Sequence, residues 1–168
     1  MELKLIKATI EQKPILANLI ELYTYDFTKF CDFDIGDNGF YGYKYLPLYW
    51  IEATRFPYLI YVNSKIAGFV LWQQQLSITG DRIVWDIAEF FIMQKYKQHG
   101  LGTKVACKLW NQFKGHWQIR VLVNNQIACS FWLQAIEKFT SNFEHLEVNI
   151  EGKDWIIYTF ASVSNGDE

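Results

Sequence analysis

Two carboxylates interrupt an apolar stretch near the middle of the chain. Asp86 and Glu89 lie within residues 82–93, whose apolar run predicts a long strand. Apolar surroundings raise the pKa of a carboxyl group, which suits it to take up a proton as a general base. We favour Glu89 for this role because Ala88 and Phe90 flank it, with an ion pair or a structural contact as the alternative. Asp86 is the second candidate, and a structural role is its own alternative.

A basic turn with two glycines follows the same strand. The segment Lys97–Thr103 (the glycine turn) contains Gly100 and Gly102 and leads into an amphipathic helix. The first turn of a helix has unpaired N–H groups and a partial positive charge, and glycine allows an anion to approach the backbone closely. Cationic side chains surround the turn: Lys95, Lys97, His99, Lys104 and Lys108. This combination predicts a site for a phosphate or a pyrophosphate.

Three phosphate-binding motifs can be compared with the glycine turn. The spacing G-x-x-x-x-G-K-[ST] is absent, and a dinucleotide fingerprint would need a glycine where Val105 stands and an acidic residue about 20 positions later. Lys97-Gln98-His99-Gly100-Leu101-Gly102 resembles the [Q/R]-x-x-G-x-[G/A] turn of the GNAT superfamily of N-acetyltransferases, with Lys97 in place of Gln or Arg. The resemblance implies that Gln98–Thr103 holds the pyrophosphate of acetyl-coenzyme A. A plain connection, in which the glycines only permit tight turning, is the alternative.

A second segment carries the same resemblance. Residues 117–123 predict a strand, and an apolar helical face follows it. Asn125 and Ala128 match the N-x-x-A-x-x-x-Y pattern of GNAT proteins, whose Asn hydrogen-bonds the pantetheine arm and whose Tyr often protonates the departing thiolate. Trp132 stands at the Tyr position, and an indole N–H has no useful acidity. The pattern therefore implies cofactor binding without that acid.

The predicted elements follow the order of the GNAT fold, β-α-α-β-β-β-α-β-α-β-β. The second helix is predicted at Leu48–Thr54 and the fourth strand at Arg82–Met93, and hairpins are predicted to turn at Asn63-Ser64-Lys65 and at Glu151-Gly152. The first helix is predicted from one apolar face, whose members are Leu16, Leu19, Ile20, Tyr23, Phe27 and Phe30. We expect an α/β (α+β) fold that forms one domain over residues 1–168. Its sheet should be mixed and mostly antiparallel, with about seven strands and about four helices. The tail from Ser162 should be frayed.

Composition narrows the class of protein. The chain has 168 residues, of which 51% are hydrophobic and 18% aromatic, and this excludes disorder. A net charge of −2 does not indicate a nucleic-acid-binding surface. Neither a signal-peptide segment nor an apolar run of membrane-spanning length is present in the sequence. Cys31, Cys107 and Cys129 lack metal or redox spacing, and we expect a reducing cytoplasm.

The resemblance also implies where the ligands lie, with the pantetheine arm paired to the backbone of the fourth strand. The residues it assigns to the cofactor are Phe91, Ile92, Met93, Lys97, Gln98, His99, Gly100, Leu101, Gly102, Thr103, Asn125, Ala128 and Trp132. We place Tyr25, Asp26, Tyr41 and Tyr43 on the acceptor side, where packing is the alternative role of the tyrosines. Asp26, Asp32, Asp34 and Asp37 make this side acidic, which would attract a cationic amine; a solvated loop is the alternative.

Together these features favour acetyl-CoA-dependent N-acetylation. The acceptor would be a primary amine of a small molecule or a protein, attacking directly in a ternary complex, and the enzyme would be a monomer or a homodimer. One alternative is a non-catalytic acyl-CoA-binding or regulatory module, which Trp132 favours. Another is an interaction protein whose exposed aromatic residues form an oligomer interface.

Overall fold

The structure, a computed structural model, describes residues 1–163. Its seven strands are β1 (Leu3–Lys7), β2 (Arg55–Val62), β3 (Lys65–Leu76), β4 (Ile83–Ile92), β5 (Gly115–Leu122), β6 (Phe143–Ile150) and β7 (Lys153–Ser162). They form one sheet in the order β1-β2-β3-β4-β5-β7-β6. β4 and β5 run parallel, whereas β1 with β2, β5 with β7 and β6 with β7 are antiparallel. The mixed, mostly antiparallel sheet of seven strands is thus confirmed.

Three α-helices accompany the sheet within the described residues, rather than the four that were predicted. They are α1 (Lys13–Phe27), α2 (Leu101–Gln112) and α3 (Gln126–Phe139). The helix predicted at Leu48–Thr54 is instead a short 3-10 helix at Leu46–Trp50. Leu48 N donates to Tyr45 O at 3.1 Å and Ile51 N to Leu48 O at 3.1 Å, which is 3-10 spacing. A bond of α-helical spacing, from Glu52 N to Leu48 O at 2.8 Å, closes this segment before β2 begins at Arg55.

The chain divides into two compact units, and residues of β3 and β4 belong to both. The first unit consists of Met1–Trp72 and Glu89–Tyr96. Its core includes Leu16, Leu19 and Ile20, which lie on the apolar face predicted for α1. The predicted apolar pattern continued to Phe30, but α1 ends at Phe27 and a turn follows it.

The second unit consists of Gln73–Ala88 and Lys97–Glu168, of which residues up to 163 are described. The Trp110 ring lies at its centre, 4.9 Å from the ring of Phe160 and 5.2 Å from that of Phe139. β7 continues to Ser162, which is buried, so the predicted frayed tail does not begin there. The rest of that tail, residues 164–168, lies outside the described residues. The single-domain organisation over residues 1–168 stays a prediction.

None of the helices described within residues 1–163 has the length and apolar character needed to cross a membrane.

Candidate active site

Glu89 lies in β4, in the first unit, among tyrosine side chains. The hydroxyl of Tyr43 donates a hydrogen bond to Glu89 Oε1 at 3.1 Å. Burial, and secondarily the negative charge of Glu89, raise the pKa of Tyr43 far above its usual value, and the pKa of Tyr23 rises for the same two reasons. The same causes raise the pKa of the buried Tyr49 to about 12. These phenols therefore stay protonated at neutral pH, and Tyr43 is a hydrogen-bond donor to Glu89.

A cavity of about 350 Å³ opens at Glu89. Five aromatic rings line it: Tyr23, Phe27, Phe33, Tyr41 and Tyr43. Three carboxylates line it as well: Glu89, Asp32 and Asp34. The structure thus brings together Glu89, Tyr41 and Tyr43, three of the residues that the sequence assigned to the base and the acceptor. We refer to this space as the aromatic cavity.

Two residues assigned to the acceptor side lie elsewhere. Tyr25 is 68% exposed on α1 and does not line the aromatic cavity. Asp26 Oδ1 instead pairs with Lys29 Nζ at 3.3 Å on the helix surface. Tyr23, which the sequence placed only in the apolar face of α1, lines the cavity in their place. A tyrosine within an otherwise apolar helix face was the available signal, because a buried hydroxyl needs a polar partner.

Asp86, the second candidate base, lies in the second unit as half of a buried ion pair. Its side chain has no exposed surface, and Arg120 Nη2 lies 2.9 Å from its Oδ2. Arg120 Nε also donates to Oδ1 at 3.3 Å, and the amide of Gln75 donates to Oδ2. Burial raises the pKa of Asp86, and Arg120 acts against this rise. The carboxylate of Asp86 is therefore enclosed and bound to a cation, a geometry that favours its structural alternative, and its catalytic assignment stays a prediction.

The glycine turn lies in the second unit and leads into α2. Gly100 precedes the helix with φ of 68°, in the left-handed region that glycine tolerates, and has no side chain to cap the first N–H groups. Lys104 N donates to Gly100 O at 3.1 Å, so the N–H groups of Leu101, Gly102 and Thr103 precede this first helical bond. The Leu101 side chain is buried, so that residue can meet an anion only through its backbone.

Other residues assigned to the cofactor have different partners. His99 Nδ1 lies 2.7 Å from Lys97 O, which gives the imidazole a role in the conformation of the turn. Met93 N donates to Ala67 O and Met93 O accepts from Tyr96 N, each at 2.8 Å. The Met93 N–H is therefore already used in this structure, and pairing of this residue with a pantetheine arm stays a prediction. Phe91 and Ile92 are almost wholly buried, so they could contribute only backbone groups.

The segment that begins α3 has a clear structural role. Asn125 is the N-cap, and its Oδ1 accepts from Ala128 N at 3.1 Å. The cap uses only the amide oxygen, so the Nδ2 group takes no part in it. Trp132 is 7% exposed and its ring centre lies 6.4 Å from that of Trp110. The indole therefore belongs to the core of the second unit, and its assignment as a cofactor contact is not supported.

Comparison with known proteins identifies the family. The sequence over residues 17–135, more than half of the chain, matches the family model of the acetyltransferase (GNAT) family. The chain belongs to the GNAT family. This GNAT protein is thus an N-acetyltransferase by class, as the sequence predicted. Among curated proteins, none has a sequence that matches it.

Solved structures have the same fold at low sequence identity. An acetyltransferase from Thermus thermophilus is 13% identical with a TM-score of 0.69, and the match covers 96% of this chain and 97% of that one. The ribosomal-protein-S18-alanine N-acetyltransferase from Escherichia coli is 11% identical, with a TM-score of 0.60 and coverage of 99% and 97%. A spermidine N-acetyltransferase from Vibrio cholerae, in complex with CoA and spermine, is 12% identical, with a TM-score of 0.63 and coverage of 95% for both chains.

Proposed function

We propose that this GNAT protein transfers the acetyl group of acetyl-CoA to a primary amine that enters the aromatic cavity. The acceptor is a small molecule or an amine of a protein, and it attacks directly in a ternary complex. The observation that carries this proposal is the carboxylate of Glu89 in an aromatic cavity, with the hydroxyl of Tyr43 fixing one of its oxygens.

The glycine turn fits the pyrophosphate of acetyl-CoA. The N–H groups at the start of α2 and the helix dipole favour an anion, and Gly100 leaves the approach to them open. Lys97, in the glycine turn, and Lys104, in the first turn of α2, add positive charge. When bound, acetyl-CoA would supply a thioester carbonyl as the acyl donor. Asn125 Nδ2 is the group that could donate to the pantetheine arm, because the cap occupies only Oδ1.

Glu89 acts as the base in this proposal. An aliphatic amine is protonated at neutral pH and must lose a proton before its nitrogen can attack. Glu89 takes that proton, directly or through water, on the carboxylate whose Oε1 accepts from Tyr43. Tyr43 keeps the carboxylate oriented because its own pKa is raised too far for it to give up its proton. Trp132 would not protonate the departing thiolate, since an indole is only a hydrogen-bond donor, so the second proton of the amine nitrogen would pass to the thiolate directly or through water.

The lining of the aromatic cavity favours an acceptor that arrives as a cation. Ammonium groups bind over aromatic faces, and carboxylates at a cleft raise the local concentration of cations. Asp32 and Asp34 line the cavity together with the rings of Phe27 and Phe33. The spermidine N-acetyltransferase of Vibrio cholerae, in complex with CoA and spermine, is a relative in fold whose named substrate is such a cation.

A non-catalytic acyl-CoA-binding or regulatory module is the second candidate. The observation that favours it is Trp132, because a buried indole stands where GNAT proteins often have an acidic tyrosine. Such a module would bind CoA through the glycine turn but would release no free thiol from acetyl-CoA in the presence of any amine.

A screen of amines with acetyl-CoA, read by release of free thiol, tests the proposal. Once an acceptor is found, Glu89→Gln should lower the rate at neutral pH by roughly 100- to 10,000-fold, the usual effect of removing a general base. Its affinity for acetyl-CoA in a calorimetric titration should be unchanged. Glu137→Gln is the matched control, because it also replaces a carboxylate by an amide but at an exposed position of α3.

Two results would contradict the proposal. CoA binding without turnover for any amine would favour the non-catalytic module. Equal rates for Glu89→Gln and the parent from neutral to alkaline pH would show that Glu89 is structural, with the amine losing its proton elsewhere.

A further inference from the structure

The carboxylate of Glu21 holds two consecutive backbone amides of a distant loop. Glu21 lies in α1, and residues 31–45 form a mostly exposed loop after that helix. Glu21 Oε2 accepts from Tyr41 N at 2.8 Å, and Oε1 accepts from Gly42 N at 2.8 Å. Both carboxylate oxygens are therefore used to fix one short stretch of the 31–45 loop to α1.

The backbone of the loop is shaped for this contact. Two successive N–H groups can converge on one anion only where the backbone makes a concave turn that includes a left-handed residue. Gly42 has φ of 71°, and a Cβ there would meet no atom within 4 Å, so conformation and not space calls for glycine. The bonds Gly36 N to Phe40 O and Gly39 N to Gly36 O close the loop on itself and do not attach it to α1.

The fixed stretch carries the rings of the aromatic cavity. Tyr41 and Tyr43 flank Gly42, and all three line the cavity together with Glu89. Tyr43 also donates to Glu89. Any movement of the Tyr41–Gly42 backbone away from α1 would therefore displace a wall of the cavity and the donor that orients the carboxylate of Glu89.

We propose that Glu21 is a positioning residue, whose carboxylate holds the wall of the acceptor site in place through the amides of Tyr41 and Gly42. This inference rests on the proposed function, because it takes the aromatic cavity as the site of the amine. Glu21 itself does not line the cavity, and its effect passes through the backbone that it binds.

The hydrogen bonds from Tyr41 N and Gly42 N to the carboxylate of Glu21, which we call the clamp, set the expected change in the acceptor KM. Hydrogen bonds to a charged group are the stronger kind, and loss of one typically changes an equilibrium by roughly 10- to 100-fold. Glu21→Gln keeps one oxygen acceptor and sets an NH2 group against the second amide, so it should raise the acceptor KM about 10-fold. Glu21→Ala removes both acceptors and should raise it further. The acetyl-CoA KM should stay at the parental value, because the glycine turn has no part in the clamp.

The test combines kinetics with amide exchange followed by NMR. In the parent, the Tyr41 and Gly42 amides should exchange more slowly than the other exposed amides of the 31–45 loop. Glu21→Gln and Glu21→Ala should abolish this protection and raise the acceptor KM in that order. Gly42→Ala should also abolish the protection and raise the acceptor KM, because alanine is strained at the positive φ of this loop residue. Glu137→Gln is the control that removes a carboxylate from an exposed helix position and should change neither readout.

The outcomes are separable. Unprotected Tyr41 and Gly42 amides in the parent would overturn the clamp. Faster amide exchange in the variants with an unchanged acceptor KM would also overturn the positioning role, because Glu21 would then only stabilise the loop. A parent with protected amides but no turnover of any amine would refute the proposed function and reduce Glu21 to a loop anchor.

Discussion

Replacing the two partners of the Asp86–Arg120 ion pair one at a time should give unequal losses of stability. The side chain of Asp86 has 0% exposure and that of Arg120 has 30%. Arg120→Met leaves a wholly buried carboxylate without its cation, and breaking a buried pair in this way costs about 3–5 kcal/mol. Asp86→Asn leaves a guanidinium that reaches solvent and keeps an oxygen acceptor, so its cost should be about 1–2 kcal/mol.

The loss in Arg120→Met should also depend on pH. Burial already raises the pKa of Asp86, and Arg120 opposes that rise, so removing Arg120 raises this pKa further. A carboxyl whose native pKa lies above its unfolded value binds its proton first in the native state. Its contribution to stability is therefore complete below the unfolded pKa and is lost as the pH rises through the native pKa. Arg120→Met should regain stability as the pH falls from 7 to about 5, whereas Asp86→Asn should not.

Urea unfolding followed by tryptophan fluorescence measures both effects. For a chain of this size, a loss of 3–5 kcal/mol corresponds to a drop in Tm of roughly 6–20 °C, so calorimetry gives a second measurement. Equal losses in the two variants, or a loss in Arg120→Met that does not change with pH, would refute the reasoning. Folded Asp86→Asn should acetylate at about the parental rate. A large loss of turnover in the folded variant would instead support Asp86 as the base.

Three further predictions concern the ligand sites. Gly102→Glu should fold normally, because an acidic residue is favourable in the first turn of a helix, yet it should abolish CoA binding in calorimetry. The uncharged Gly102→Gln should weaken CoA binding less, and parental affinity in Gly102→Glu would rule out the turn as the pyrophosphate site. Asn125→Asp should keep the cap and the parental Tm but lower CoA affinity by about 10-fold, through loss of the Nδ2 donor; unchanged affinity would leave Asn125 only a helix cap. Tyr43→Phe should lower kcat by about 10-fold, through loss of a hydrogen bond to Glu89, at an unchanged acetyl-CoA KM; a parental kcat would show that this hydrogen bond does not orient the base.

The glycine turn could be predicted from the sequence because its parts are contiguous. The order of glycines and cations, the preceding strand and the following helix all lie in one segment, and helix geometry fixes where its N–H groups point. The same reasoning found the hairpins and the apolar face of α1. It failed at Leu48–Thr54, where a helix was predicted but the chain forms a 3-10 helix that ends at Trp50, before β2 begins at Arg55.

The aromatic cavity could not be predicted in the same way, because its parts are distant in the sequence. Tyr43 and Glu89 are 46 residues apart, and Glu21 and Tyr41 are 20 apart. One error was avoidable, however. Successive helical residues are separated by about 100°, so Tyr25 lies about 200° around α1 from Tyr23. The apolar face that includes Tyr23 is buried, and Tyr25 therefore had to face solvent.

The two carboxylates of β4 show why the choice of a base needs the fold. Asp86 and Glu89 are three residues apart in one apolar strand, so their local sequences predict similar burial. Asp86 pairs in register with Gln118 of β5, and Arg120, two positions further on, points to the same side as Gln118 and reaches the carboxylate. Glu89 instead receives the hydroxyl of Tyr43, a donor that carries no charge and keeps its proton. A carboxylate whose charge is already neutralised by a guanidinium attracts a second cation only weakly. A carboxylate that accepts a hydrogen bond from a neutral phenol keeps its charge, so it can still attract a protonated amine and accept its proton. The difference between the two carboxylates thus comes from β5 and from the 31–45 loop, which lie elsewhere in the sequence.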